Sequence, residues 1–379
     1  MSWLKRAFRL LALFSLLFSS SLLAWEIQAG ELIKVEGKVW IINPDGTQHL
    51  AQIGETVKSE QVIETSEDGK AVLVFDDGSE LEIRENSRIQ LNDPSVEANN
   101  SILLFLGRIF ARIMPSRTGE PSFSVEGLSV VAGVRGTEFE MAQAMDGSAL
   151  VSVEEGEVEV SGEENLVSVK QGEEVEVSPE RKWQKRKRRA RTPEEWQSWF
   201  QAREQFFIQH SSRLIDNFYQ RATKIQTRIK AQDQKLKEKS QLLKTAYEQK
   251  HLTYFQARRI ARKEIQGYMK MLKALARSDR QLVALNYIIY KAEKEIEQSP
   301  EAFSEEFKQS IAQAREKLNQ LNLKQLHKQN QKIIRSHLIL LVATAKKFHL
   351  EKELWRNLPP QVRKRILEKA RENKKGKKT

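Results

Sequence analysis

Two hydrophobic periods divide the chain. From about residue 31 to residue 178, short runs alternate apolar and polar positions ("KVWII", "AVLVF", "LEIRE", "ALVSV", "EVEVS", "LVSVK"). That is the period-two signature of half-buried strands. Asp45-Gly46, Asp68-Gly69, Asp77-Gly78 and Asp146-Gly147 punctuate the runs and read as hairpin turns, because glycine accepts the positive φ such turns need. "FDDGSELEI" is the clearest case, with Val72, Val74, Leu81 and Ile83 expected to share a face. Many short strands at this spacing predict a β-sandwich or a jelly-roll-like barrel.

From residue 193 the period changes to threes and fours. Phe207, Leu214, Phe218, Ile225, Ile229, Leu236 and Leu243 form one stripe. Ile260, Met271, Leu275, Leu282, Leu285 and Ile289 form a second, and Phe303, Phe307, Ile311, Leu318, Leu321 and Leu326 a third that runs on into "HLILLVATA". Thr192-Pro193 followed by Glu194 and Glu195 is a helix start. Thr253 reads as a second cap and Ser299-Pro300 as a third, while Pro359-Pro360 opens a short last helix. Long stripes of this kind predict a helix bundle or an elongated coiled-coil-like module.

Charge obeys the same division. Residues 31–180 carry 11 basic and 30 acidic residues, a net of −19. Residues 181–379 carry 49 basic and 20 acidic, a net of +29. Such asymmetry concerns partners and contact between the halves rather than fold. "RKWQKRKRRAR", with eight basic residues and no acid, reads as a linker. The N-terminus adds Lys5, Arg6 and Arg9 ahead of an apolar run over residues 10–25. A basic start, a short apolar core and small residues are the anatomy of a secretory signal, with an uncleaved anchor as the alternative. The expected organisation is a signal over 1–24 (cleavage after Ala24 or as late as Ala29), a β-domain over 31–178, a basic linker over 179–192, a helical domain over 193–372 and a basic tail over 373–379. The exported part is expected in the periplasm or cell envelope, or held at the inner membrane by the anchor.

Candidate chemistry is sparse. The chain has no Cys, which removes disulfides, thiolate metal sites and Cys nucleophiles. Its six His include no pair at metal-site helical spacing, and there is no P-loop, nucleophile elbow or dinucleotide fingerprint. The expectation is a protein that is not an enzyme and takes no cofactor. The candidate contact patch is Lys185, Arg186, Lys187, Arg188, Arg189 and Arg191 with Trp183, Trp196 and Trp199. Basic residues among aromatics suit nucleic acid, anionic lipid or cell-wall polymer. An exported protein seldom meets nucleic acid, so lipid or polymer ranks above it. First comes docking of the patch on the acidic β-domain. The helical stripes also allow self-association.

The run "SVVAGVRGTEFEM" turns a sharp corner at Arg135-Gly136. With "IGETVKSEQVIETSEDGKAVLVFDDGSELEIRENSRIQL", "LLFLGRIFARIM" and the ending "VSVEEGEVEVSGEENLVSVKQGEEVEV", it resembles the FecR domain family. The resemblance covers most of residues 31–178, and its signature is Val134, Arg135, Gly136, Thr137, Glu138 and Phe139. It implies a β-rich sensing or interaction domain outside the inner membrane, with an unidentified protein partner in the envelope and no catalytic residues. Arg135 and Gly136 are then architectural. Gly136 should adopt a conformation disfavoured for residues with a Cβ, and Arg135 should pair with a carboxylate or backbone carbonyls. The alternative is that Arg135 holds an anionic ligand. Only nine residues precede the apolar run, leaving no room for the cytoplasmic segment through which many such regulators handle a sigma factor. Direct sigma-factor control is therefore not expected.

Overall fold

The computed structural model describes residues 28–92, 100–115, 123–162, 165–180, 182–248, 253–323, 325–330, 332–334, 345 and 349–350. The expected signal segment, residues 337–344 of "HLILLVATA", the helix expected after Pro359-Pro360 and the basic tail lie outside the described residues.

Strands come first: β1 (Gln28–Glu36), β2 (Val39–Ile42), β3 (Gln48–Leu50), β4 (Thr56–Lys58), β5 (Val62–Thr65), β6 (Lys70–Val74), β7 (Glu80–Ile83), β8 (Arg88–Leu91) and the long β9 (Asn100–Ile113). After them run β10 (Phe123–Glu126), β11 (Val131–Val134), β12 (Thr137–Gln143), β13 (Ala149–Glu155), β14 (Glu157–Ser161), β15 (Leu166–Lys170), β16 (Glu173–Val177) and β17 (Trp183–Lys187). They form two sheets. Sheet I has the order β4-β1-β6-β7-β9-β12-β13-β16-β17. Sheet II has the order β3-β2-β5-β8-β9-β10-β11-β14-β15.

β9 belongs to both sheets. Its first half pairs with β8 and β10, and its second half with β7 and β12. The change of sheet falls at Gly107, whose φ is +98 and where an added Cβ would lie 2.3 Å from Ser87 Oγ. The inward side chains of both sheets form one core, including Leu32, Leu73, Ile109 and Phe139 from sheet I and Ile41, Ile89, Phe123 and Val160 from sheet II. The β-rich half is therefore a sandwich.

The Asp-Gly turns divide by the residue after the glycine. Asp45-Gly46-Thr47, Asp77-Gly78-Ser79 and Asp146-Gly147-Ser148 close hairpins in which the aspartate accepts the backbone N–H of the Thr or Ser at 2.9, 3.0 and 2.7 Å. Each is a three-residue loop, as the Asn43–Thr47, Phe75–Ser79 and Ala144–Ser148 bonds show. The expected shared face of Val72, Val74, Leu81 and Ile83 is corrected accordingly. A two-residue loop would put Val74 opposite Leu81, but the three-residue loop puts Leu73 opposite Leu81 and Ala71 opposite Ile83. Asp68-Gly69 is followed by Lys70 and joins β5 in sheet II to β6 in sheet I, so it is a crossing and not a hairpin.

"WQKRK" within the expected linker is strand β17. It pairs with β16, placing Arg186 opposite Glu174 and Lys187 opposite Glu173. Opposite charges across a ladder stabilise the pair, so a basic run that could not fold alone closes the edge of an acidic sheet.

The helices come after. α1 (Pro193–Glu248) is broken at His210, where φ is −126 and ψ is 17. Thr192 and Glu195 form its reciprocal cap, each backbone N–H bonded to the other's side chain at 3.0 and 3.3 Å. α2 (Tyr254–Gln298) starts in a capping box of Thr253 and Gln256. The third start differs from expectation. Ser299-Pro300 opens only a 3₁₀ turn, Pro300–Ala302, without a side-chain cap. α3 (Glu305–Gln320) is capped by Ser304, with Glu305 and Glu306 in its first turn. The expected unbroken third stripe also ends early, because Asn322 takes φ +46 before helical turns resume.

Phe207, Leu214 and Phe218 of α1, Leu285 and Ile289 of α2 and Phe307, Ile311 and Leu318 of α3 are buried together. The side chains of Ile225, Ile229, Leu236 and Leu243 lie outside the described set. Ile260 leaves the expected second stripe and is 37% exposed, with Ala257, Ala261 and Ile265 buried at its level. Among the described residues no helix is long and apolar enough to cross a membrane.

Candidate interaction surface

The "VRGTEF" corner is where the chain passes from sheet II to sheet I. Val134 ends β11 fully buried, and Phe139 enters the core from β12. Between them Gly136 takes φ +58, in the left-handed region that glycine enters without steric cost. An added Cβ there would lie 3.2 Å from the Pro115 ring. Thr137, 2% exposed, donates its hydroxyl to the carbonyls of Arg135 and Glu157 at 3.1 and 3.0 Å. Glu138 accepts from Arg112 Nε at 2.6 Å. Arg135 is exposed. The motif brings a strand change, a locked hydroxyl and a core aromatic into six residues.

Most of the basic patch faces the sandwich's own acids. Lys185 pairs with Glu173 at 2.7 Å and Arg188 with Glu154, whereas the Arg189 side chain pairs with Glu195 of α1 at 3.2 Å. Arg191 forks onto Glu174 at 2.7 and 2.8 Å, with the two side chains 4% and 0% exposed. Arg186 reaches Glu174 and Glu176 at 2.7 and 2.8 Å. Trp183 packs half-buried against the sandwich core, while Lys187 stays exposed.

α1 then lays Trp196, Trp199 and Arg203 on the same sheet, spaced one helical face apart. Trp196 is buried on Ala142 and Leu150. Arg108 and Arg191 lie 4.8 and 5.1 Å from its ring centroid, a desolvated cation–π arrangement. The Trp199 indole donates to Glu176 at 3.0 Å, and Arg203 pairs with the same carboxylate. Burial pushes Glu174 up, but hydrogen bonds from Arg191, Arg186 and the Arg189 amide outweigh it and hold it below the usual glutamate value. Glu176 behaves alike: burial raises it, and Arg203, Trp199 and Arg186 bring it down.

Further contacts between helices and sandwich lie outside the sequence-derived patch. Arg280 of α2 forks onto Glu126 at 2.6 and 2.9 Å, and Glu126 is 2% exposed. Gln281 donates to the Leu128 carbonyl at 3.3 Å. Beside them Tyr287 meets Phe105 edge-on at 5.6 Å, with Arg88 stacked 4.4 Å from the tyrosine ring centroid. Glu126 has one signal in the sequence: it is the sole charge in the run "FSVEGLSVVAGV". Arg280 has none, being one of many arginines on an amphipathic helix. Among the described residues no cluster of three or more His, Asp or Glu could hold a metal ion.

Residues 61–159 match the family model described as FecR protein. Two solved structures of proteins provisionally named anti-sigma factors, both from Parabacteroides distasonis, are similar at 18% and 20% identity with TM-scores of 0.31 and 0.32. The matches cover 34% and 36% of this chain and 60% and 64% of theirs, so the chain spans less than two thirds of either. A structure described as a cell surface anchoring domain is 21% identical over 18% of this chain and 88% of its own, with a TM-score of 0.17. No curated protein matches the chain. The FecR match falls inside the sandwich, from β5 into β14.

Proposed function

We propose that the protein is a non-enzymatic component of a bacterial envelope, exported by its N-terminal segment. In this reading the FecR sandwich is an interaction or sensing module, and the basic helices are a scaffold or partner-binding arm fixed to it. The observation that carries the reading is the set of buried forks between the two parts, Arg191–Glu174 and Arg280–Glu126. Removing one member of a buried pair leaves an uncompensated charge, so the helices hold a set direction on the sandwich. The acids on these strands are engaged by the chain's own cations, which leaves the outer helices for a partner.

The test is in-cell crosslinking from photoreactive residues at exposed positions along α1 and α2, read by mass spectrometry. A discrete protein adduct supports the reading. Adducts confined to the chain's own sandwich would end it. A second reading, favoured by the net +29 of residues 181–379, is that the helices hold anionic lipid or cell-wall polymer. Crosslinks to lipid or wall material, lost as salt rises, would support that reading instead.

A further inference from the structure

The two ends of α2 differ. Its contacts with the sandwich begin at Arg280 and Gln281. The roughly 26 residues before them span about 40 Å at 1.5 Å per residue. They pack on α1, for example through the Gln226–Ser278 hydrogen bond at 3.1 Å. Between Tyr254 and Arg277 the sequence holds seven basic residues and one acid, Glu264.

At the outer end Phe255 is 79% exposed, the largest exposure of any large apolar side chain among the described residues. Arg259 and Lys263, both exposed, succeed it at four-residue intervals, so the three share one helix face. Glu264 lies on a different face and is half-buried. The chain also returns to this end. Arg258 donates to the His349 carbonyl at 3.1 Å, and the Tyr254 and His349 ring centroids are 6.3 Å apart. The seven cations between Tyr254 and Arg277 thus lie on the stretch of α2 that presents an exposed aromatic ring.

We infer that this tip, with Phe255 as its apolar wedge and Arg259 and Lys263 as its cations, docks on an anionic phospholipid surface. The inference rests on the second reading above and commits it to lipid. A soluble polyanion would need the cations alone. The exposed phenylalanine adds the apolar contact that a bilayer interface rewards and a hydrated polymer does not. Basic side chains near an anionic leaflet supply the long-range attraction, and their stems lie along the apolar surface while the heads stay hydrated.

The absence of Cys makes the test specific to the tip within the full chain. An environment-sensitive fluorophore is attached at Ile260→Cys beside the strip, and in a separate protein at Glu67→Cys, an exposed position on the sandwich. Vesicles of phosphatidylglycerol and phosphatidylethanolamine are added, with phosphatidylcholine vesicles as the neutral control. The expected result is a blue shift at position 260 with the anionic vesicles only, none at position 67, and loss of the shift in high salt. Arg259→Glu with Lys263→Glu should weaken the response at least tenfold, since about four units of charge change at the surface. Phe255→Ser should weaken it severalfold. A label that stays silent while the chain binds vesicles through its N-terminal segment would overturn the inference, as would an undiminished shift after the charge reversals. A response to soluble polyglutamate but not to vesicles would overturn it too, and assign the strip to polymer. None of these outcomes bears on whether the crosslinking experiment finds a protein partner.

Discussion

The root and the tip of the helical arm use the same residue types in opposite ways. At the root, Trp196 and Trp199 lie against the sandwich, and Arg186, Arg191 and Arg203 converge on Glu174 and Glu176. At the tip, Phe255, Arg259 and Lys263 face solvent. Composition alone makes both ends basic patches with aromatics. The difference lies in the neighbours, an acidic sheet edge in one case and more cationic chain in the other. A cation in a desolvated fork is a structural element, whereas an exposed one contributes little to stability and remains available for a surface.

The comparison breaks most visibly at the root. Arg280→Ala leaves Glu126, 2% exposed, as a buried charge without its fork, and should cost about 3–5 kcal/mol in chemical denaturation. Arg191→Ala should cost somewhat less, because Arg186 still reaches Glu174. Replacing both members, as in Glu126→Leu with Arg280→Met, should recover much of the loss. If Arg280→Ala unfolds at the same denaturant concentration as the parent, the fork does not hold the arm.

The next effect has a pH sign. The Asp45 and Asp146 hairpins share one local design, but their surroundings differ. Asp45 is exposed, and the Thr47 hydroxyl and amide hold it below the usual aspartate value. Asp146 is 1% exposed in a turn capped by Phe218, which leaves no room for a Cβ at Gly147. Burial outweighs its bonds to Ser148 and raises it from 3.8 to about 6. A folded-state value above the unfolded one gives stability that is present below about pH 4 and lost as pH rises through about 6. The loss is on the order of 3 kcal/mol. Glu174 and Glu176, held low, act in the opposite sense and lose their contribution as pH falls below the usual glutamate range. Asp146→Asn keeps an acceptor for the Ser148 amide, so it should raise stability at pH 7 by about 1–3 kcal/mol and flatten the profile between about pH 4 and 6. An unchanged profile would mean that Asp146 is hydrated.

Gly136→Val comes next at about 2 kcal/mol. It forces a β-branched residue to φ +58 and brings Cβ within 3.2 Å of Pro115. The melting temperature should fall by several degrees. An unchanged value would show that the corner relaxes without strain.

What is legible in the sequence depends on the range of the interactions involved. The alternation marks the strands, and "VRGTEF" marks the corner, because both are written in consecutive residues. Thr253 and Thr192 are readable as caps for the same reason. The register of the β6–β7 hairpin is not, since it turns on whether the loop has two or three residues. The residue after Asp-Gly holds a usable signal: Ser or Thr stands after the three hairpin turns and Lys after the crossing at Asp68-Gly69. β17 reads as linker because its partner acids lie ten or more residues away on β16. The Glu126–Arg280 fork, 154 residues apart, has no local trace beyond one glutamate among apolar neighbours. The end of α3 near Asn322 is hidden because the apolar stripe continues across the break.

The smallest expected effect bears most directly on root versus tip. Arg259→Glu with Lys263→Glu should shift stability by less than about 0.5 kcal/mol, as exposed substitutions away from caps and cores do. The strip faces solvent, and the capping box of Thr253 and Gln256 is untouched. Reversal even adds acids to a helix segment that already carries cations, which favours local pairing. The same charge reversal at Arg186 and Arg191 would put two acids against Glu174 and should unfold the root. Denaturation of the two double variants side by side therefore separates cations that build the fold from cations held at its surface. Equal loss of stability at both ends would erase the distinction and place the tip, like the root, inside the architecture.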